Sequence, residues 1–211
     1  MNKGVPASPD YSEPAKIAQA VRELKLKYVV ITSVTRDDLA DGGASIFAET
    51  CRQISIIDPG ISIELLIPDF RYSLEKSFSL ITKERIDILN HNIEAVESFF
   101  PVVRPAADYK HSLRLLKLFS EKGLTVKSGL MIGFGETVEQ IKSSINDLVK
   151  AGCRIITVGQ YLKPGKEFYD VKKYYHPDEF EEIKEFAINA GIEKAVCGPN
   201  VRSSYLAETI I

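Results

Sequence analysis

Five short polar clusters, each placed just after a short apolar run, are where this chain could do chemistry. Arg36-Asp37-Asp38, continuing to Asp41-Gly42-Gly43, follows the run Tyr28 to Ile31. Its carboxylates suit a cationic group or a metal, and a solvated charged loop is the alternative reading. Asn90-His91-Asn92-Ile93-Glu94 follows Ile86 to Leu89. His91 has the chemistry of a general base or metal ligand, but no second histidine lies nearby, which favours a structural histidine; His111 and His176 read as surface residues. Gly133-Phe134-Gly135-Glu136 closes the run Leu124 to Ile132. Glycine there permits positive φ or a close ligand approach, whereas Glu136 would repel a phosphate at the helix start that follows. Gly159-Gln160-Tyr161 and Arg202-Ser203-Ser204-Tyr205 end the last two runs. The serines have no His-Asp set beside them, which argues against a serine hydrolase, and a capping or turn segment is the plain reading. Two isolated cations complete the set. Lys127 alternates with Gly129 in an apolar run and suits an anionic ligand, a buried carboxylate or, less simply, a Schiff base. Arg104 presents paired donors for a carboxylate, or for a surface salt bridge.

The elements that must position these clusters alternate regularly. Ser12 reads as an N-cap with Pro14 in the first turn, and Ile17, Ala20, Val21 and Leu24 recur at helical spacing. Tyr28 to Ile31 reads as a strand apolar on both faces, as a central parallel strand is. A helix is expected from Ala44 to Ile57, a strand from Ser62 to Ile67, a helix from Ser73 to Ile81 and a strand from Ile86 to Leu89. The pattern continues with a helix over Asp108 to Lys122, a strand over Leu124 to Ile132 and a helix over Val138 to Lys150. A strand over Arg154 to Val158, a helix over Pro177 to Asn189 and a strand over Lys194 to Cys197 finish it. Short strands alternating with longer helices at a period of about 30 residues predict right-handed βαβ units and a parallel sheet, hence an α/β fold. A closed or partial barrel gathers every post-strand cluster at one mouth, so a TIM-like (β/α) arrangement is expected. The pattern opens on a helix, so the barrel is expected to lack its first strand, with 1–211 as one domain.

Composition bounds the function classes. With 211 residues, 45% apolar content and a formal net charge of -2, the chain offers no electrostatic reason for nucleic acid or membrane partners. No apolar run approaches the roughly 20 residues that span a bilayer, and a cytoplasmic location is the default. Cys51, Cys153 and Cys197 are odd in number and far apart. They argue against a disulfide framework, supply no contiguous metal motif and read as small buried apolar residues.

Taken together the clusters resemble lipoyl synthase, a radical S-adenosylmethionine (SAM) enzyme. The resemblance is carried by Val29-Val30-Ile31-Thr32-Ser33-Val34 with Arg36-Asp37-Asp38-Leu39 and Asp41-Gly42-Gly43-Ala44. It continues through Asn90-His91-Asn92-Ile93-Glu94, Val103-Arg104-Pro105 and Lys127-Ser128-Gly129-Leu130-Met131. Gly133-x-Gly135-Glu136-Thr137, Gly159-Gln160-Tyr161-Leu162 and Gly198-Pro199-x-Val201-Arg202-Ser203-Ser204-Tyr205 complete it. The resemblance implies a partial (β/α) barrel of the radical SAM type. It implies an enzyme that inserts two sulfurs, at C6 and C8, into an octanoyl chain on the lysine of a lipoyl-carrier protein. The implied cofactors are SAM and two [4Fe-4S] clusters, one reducing SAM to a 5′-deoxyadenosyl radical and one giving up its sulfur. Asp41, Gly42 and Gly43 would lie near the methionyl amine. Asn90, Glu94, Arg104 and Lys127 would hold polar groups of the cofactor, and Gly133 and Gln160 would border the adenosine. Ser203, with Ser204 as the alternative, would be a ligand to the auxiliary cluster. No catalytic side chain is assigned, because the radical chemistry belongs to the cofactors.

One departure is large. Members carry two cysteine triplets ahead of this region, and clusters need thiolates at set spacing. Neither triplet is present, and Met1-Asn2-Lys3-Gly4-Val5-Pro6 resembles the stretch just past the second. The expectation is a chain inactive alone, either a truncated gene product, one with a misassigned start, or one half of a split enzyme served by a cysteine-rich partner chain, or else a non-catalytic protein that binds SAM or a lipoyl domain.

Overall fold

The computed structural model describes residues 6–204 and 207–210, so Met1 to Val5 and Tyr205 of the Arg-Ser-Ser-Tyr cluster lie outside the described residues. Two compact units divide the chain, 1–87 and 88–211.

The first unit runs α1 (Glu13–Glu23), β1 (Tyr28–Thr32), α2 (Ala44–Ile57), β2 (Ser62–Leu66) and α3 (Leu74–Ile81). Its strands are parallel, with Tyr28 opposite Ser62 and Thr32 opposite Leu66. α1 buries Pro14, Ala18 and Val21, a stripe with i, i+4, i+7 spacing. Leu24 sits at the C-cap and is 68% exposed, so the apolar stripe expected to end on it is rotated by one residue. β1 is less enclosed than its composition suggested: only Val29 is fully buried, and among the described residues of this unit β1 pairs with β2 alone. α2 has the expected bounds and sets Phe47, Cys51 and Ile54 into the core.

The second unit runs β3 (Ile88–Asn90), α4 (Phe100–Val103), α5 (Tyr109–Glu121), β4 (Thr125–Ile132), α6 (Val138–Lys150), β5 (Cys153–Gln160), α7 (Pro177–Ala190) and β6 (Lys194–Gly198). Four parallel strands stand in chain order, β3 beside β4, β4 beside β5 and β5 beside β6. Sequential neighbours joined by helices are the outcome that right-handed crossovers produce. Caps set the helix starts. Asp108 accepts from the His111 N–H at 2.7 Å, and Thr137 forms a reciprocal capping box with Gln140. His176 caps α7 in the same way with Glu179. β5 runs two residues past the expected end, through Gly159 and Gln160, because both pair in register with β4. The sequence pattern missed α4 and the 3₁₀ turn Glu97–Phe99, which are too short to show a period.

Gly42 shows how tightly the first unit is closed. It sits at φ +61, and a Cβ there would lie 2.6 Å from the Phe70 ring. Phe70 is fully buried and cannot swing away. Gly42→Ala is therefore expected to lower stability by at least about 1–2 kcal/mol, the cost of a left-handed backbone alone, as read by urea denaturation.

Candidate functional site

The site residues of the first unit gather at the start of α2. Asp41 uses both carboxylate oxygens on backbone: Oδ1 accepts from the Gly43 N–H and Oδ2 from the Ser45 N–H, each at 3.0 Å. Burial alone would raise its pKa, but the bonds from Ser45 and Gly43 outweigh it and hold the carboxyl below the usual aspartate range. Gly42 and Gly43 both take positive φ and are buried at this turn. Arg36 grips Asp38 with two bonds of 2.9 and 2.8 Å and reaches the Ala7 carbonyl at 3.1 Å. The charged loop is thus internally paired at Arg36 and Asp38, and no group of three His, Cys, Asp or Glu able to hold a metal exists among the described residues. Beside it lies a cavity of about 570 Å³ bordered by Ile17, Ile31, Arg36, Gly43 and Phe47.

In the second unit the polar clusters divide into locks and open groups. Glu136, 6% exposed, is a lock. It turns back on its own turn, accepting the Gly133 N–H at 2.7 Å, the Phe134 N–H at 2.9 Å and the Tyr175 hydroxyl at 2.9 Å. Those two amides are the donors a phosphate loop would offer, so the turn has no phosphate cradle left to present. Phe134 is pinned between Phe99 and Tyr161, with ring centroids 6.2 and 4.2 Å away. Gln160 is a second lock. Its amide nitrogen faces the carbonyls of Ile132, Tyr161 and Lys173, and its oxygen accepts the Tyr175 N–H at 3.0 Å. Gly133 has φ +125, and a Cβ on it would overlap the Gln160 amide. His91 is buried, 3.0 Å from the Ser112 hydroxyl, which is the structural role expected for it. His176 is exposed, whereas His111 is half-buried, against expectation, because it lies in the first turn of α5 beside its cap.

The open groups face a cavity of about 310 Å³ whose lining includes Asn92, Glu94, Gly129, Met131, Thr157, Ser203 and Ser204. Glu94 is a non-glycine residue at φ +65. It is held there by a bridge to β4, with its N–H on the Gly129 carbonyl at 3.0 Å and its carbonyl accepting the Met131 N–H at 2.9 Å. Left-handed backbone at such a residue is strain that the surroundings must impose, and it concentrates at functional positions. Gly129 is where a side chain is forbidden: its Cβ would lie 2.7 Å from Thr157 Oγ1 and 2.8 Å from Asn92 Oδ1. Both of those oxygens are buried without a protein partner. Orphaned buried oxygens are costly, and here they converge on a cavity, so a polar organic ligand fits the residues present. Asn92 and Thr157 were not assigned from sequence. Thr157 was visible as the hydroxyl in an otherwise apolar Ile155-Ile156-Thr157-Val158 run. Asn90 and Lys127 are fully buried on adjacent strands and opposite one another in register. Arg104 donates to the Asn92 carbonyl at 3.2 Å and lies over the Phe100 ring.

A metal cluster finds less here. Cys51 and Cys153 are buried, Cys197 is partly buried, and burial pushes the thiols of Cys51 and Cys197 up to about 12. The described residues do not furnish the thiolate set that an iron–sulfur cluster takes.

Two expectations follow from the carboxylates that bond backbone N–H groups. Glu136→Ala strands two buried N–H groups and a tyrosine hydroxyl, and should cost roughly 3 kcal/mol or more in a denaturant melt. The Asp41 carboxyl is depressed in the folded state, so its stabilisation is complete above about pH 4 and fades as pH falls through the folded value. Asp41→Asn should reduce stability at pH 7 and flatten the loss on acidification, measured as Tm against pH.

Comparison with known proteins converges on one family. The Radical SAM superfamily matches residues 3–148. A lipoyl synthase of Caldicellulosiruptor bescii is 50% identical over 210 residues, covering 99% of this chain and 72% of the relative. One of Shewanella sediminis is 47% identical over 207 residues, covering 97% and 64%. Among solved structures, methylornithine synthase superposes with TM-score 0.66 at 12% identity, over 95% of this chain and 66% of its own. Streptococcus suis SuiB bound to S-adenosylmethionine does so with TM-score 0.67 at 11% identity, over 98% and 47%. These two share its α/β fold, and the family match makes that fold a partial barrel of the radical SAM type. The chain belongs to the lipoyl synthase family of radical SAM enzymes.

Proposed function

We propose that this chain is the SAM- and substrate-binding part of a lipoyl synthase in lipoate biosynthesis. Its reaction would insert two sulfurs at C6 and C8 of an octanoyl-lysine carried by a lipoyl-carrier protein domain. The observation that carries this reading is the 50% identity over almost the whole chain, joined to a cavity whose orphaned oxygens call for a polar ligand. When bound, SAM and two [4Fe-4S] clusters supply the 5′-deoxyadenosyl radical and the sulfur.

The chain's own residues bind, orient and exclude water. In this reading Asp41 shapes the turn that offers Gly42 and Gly43 to the methionyl amine. Glu94, Asn90, Arg104 and Lys127 hold polar groups of the cofactor, Glu94 with its backbone already fixed by β4. Gly133 and Gln160 border the adenosine as a rigid wall, since the Gln160 amide is committed to backbone. Ser203 is the serine that would meet the auxiliary cluster. The residues 1–211 are read as one functional domain, and the family match across 3–148 supports that by running through both units.

The described residues do not carry the thiolates that a cluster takes, so residues 1–211 by themselves are expected to be inactive. After reconstitution with iron and sulfide and reduction, the chain alone should release no 5′-deoxyadenosine, while the metal-free chain should still give heat with SAM in calorimetry. Robust turnover without a partner would overturn the first statement. A second reading, a non-catalytic binder of SAM or of a lipoyl domain, is favoured by orphaned polar oxygens beside a cavity in a chain whose described residues hold no His, Cys, Asp or Glu group fit for a metal. It predicts that adding a cysteine-rich fragment of a relative leaves 5′-deoxyadenosine at zero. The enzyme reading predicts its appearance.

A further inference from the structure

We propose that the segment between β5 and α7, residues 162–174, is the docking face for the protein that carries the acylated lysine, and that the surface it takes on that protein is acidic and partly apolar. This rests on the reading of the neighbouring cavity as the substrate site, and adds to it where the carrier domain stands while its lysine reaches in.

The segment has no helix or strand, yet it is tethered along its length. The Lys172 N–H donates to the Gly133 carbonyl at 2.8 Å, and the Tyr161 hydroxyl donates to the Tyr169 carbonyl at 2.9 Å. Gln160 bonds the Lys173 carbonyl and the Tyr175 N–H at 3.0 Å each. Tyr161, Tyr169 and Val171 turn inward onto the cluster of Ala95 and Phe134. Met131 packs on the same cluster and also lines the cavity of about 310 Å³, which puts the segment on the rim of that cavity.

What the tethered segment leaves in water is a contact surface. Leu162, Phe168 and Tyr174 are 50%, 41% and 71% exposed. Apolar groups on a backbone already fixed lose less freedom on binding, and aromatic anchors carry much of the energy of protein interfaces. Among them stand Lys163, Lys166, Lys172 and Lys173 against Glu167 and Asp170, so 162–174 is positive on a chain of formal net charge -2. Lys163 pairs with Asp170 and Lys173 with Glu179. Lys166 and Lys172 are exposed and enter no ion pair among the described residues. Cations interleaved with apolar groups complement an acidic protein face. A nucleic-acid backbone fits less well, because Glu167 and Asp170 would repel its phosphates. A substrate borne on a protein lysine requires a protein at the cavity rim, and this segment is part of that rim.

The test titrates the full chain with a lipoyl-carrier domain octanoylated on its lysine, read by calorimetry. Lys166→Glu/Lys172→Glu should weaken binding roughly tenfold or more and Tyr174→Ala roughly fivefold. The affinity of the unaltered chain should fall as ionic strength rises. Lys110→Glu/Lys117→Glu, the same charge change on exposed residues of α5, should leave it unchanged. Undiminished binding by Lys166→Glu/Lys172→Glu, or an equal loss in the α5 variant, overturns the proposal. A concentration-dependent dimer that Lys166→Glu/Lys172→Glu abolishes assigns the face to a second copy and overturns it too. Should a variant fail to melt cooperatively, carbodiimide cross-linking of the unaltered chain to the domain decides, mapped by mass spectrometry. Links from lysines within 162–174 support the face, and links confined to lysines elsewhere overturn it. Loss of the face leaves carrier binding and SAM heat in place. A chain that binds no carrier domain overturns the face and the carrier reading together, and one that binds the domain but gives no heat with SAM fails the cofactor reading alone.

Discussion

The second unit depends on one buried carboxylate. A strand that ends at a functional mouth leaves backbone N–H groups pointing into it, and each must be bonded to something. At the end of β4 the partner is Glu136, which collects Gly133, Phe134 and Tyr175. That choice has consequences further out. It fixes Gly133 at a φ only glycine tolerates well, and it ties the 173–175 segment to the turn through Tyr175. Gln160 repeats the tactic one strand over, spending a whole side chain on backbone of the same segment. The wall of the mouth is therefore rigid before any ligand arrives, which is what preorganised binding requires.

Against that rigid wall, the polar atoms left unpaired stand out. Thr157 Oγ1 and Asn92 Oδ1 converge on the space above Gly129, in a unit where the neighbouring Ser128 hydroxyl bonds the His91 carbonyl and His91 itself meets Ser112. Packing pressure would ordinarily replace such oxygens with methyl groups, since an unbonded buried oxygen costs more than an apolar isostere. Their retention beside a left-handed Glu94 is coherent as one arrangement: backbone strain and unmet hydrogen bonds are both tolerated at the same cavity.

Much of this was legible in the sequence, and the illegible part has physical causes. α2 and α6 were bounded correctly because their apolar period is long and their starts carry turn or capping residues, Gly43 and Thr137. The parallel order followed from alternation alone. β3 was misplaced by about two residues because three buried residues carry no period from which an end can be read. The clusters after the strands were all identified, but sequence could not divide locks from open groups. Glu136 and Gln160 look as functional as Glu94 until their hydrogen bonds are counted. Glu136 was awkward as a phosphate neighbour for a sound reason, a carboxylate among N–H donors, and the structure shows that it takes those donors for itself.

The distinction also bears on how a radical enzyme could divide its labour between segments. What the second unit contributes at its cavity is hydrogen bonding and shape: a strained Glu94, orphaned oxygens over Gly129 and a serine held across 111 residues by Asn92. None of it needs a metal in place to hold its geometry, because each bond named closes within the protein. Metal sites whose ligands fold around the ion behave differently, coupling binding free energy to folding. A cradle that is finished without iron and a thiolate set that is absent from the described residues are therefore separable in principle. The cradle supplies orientation, and the reactive centre can be brought to it by another segment without rebuilding the site.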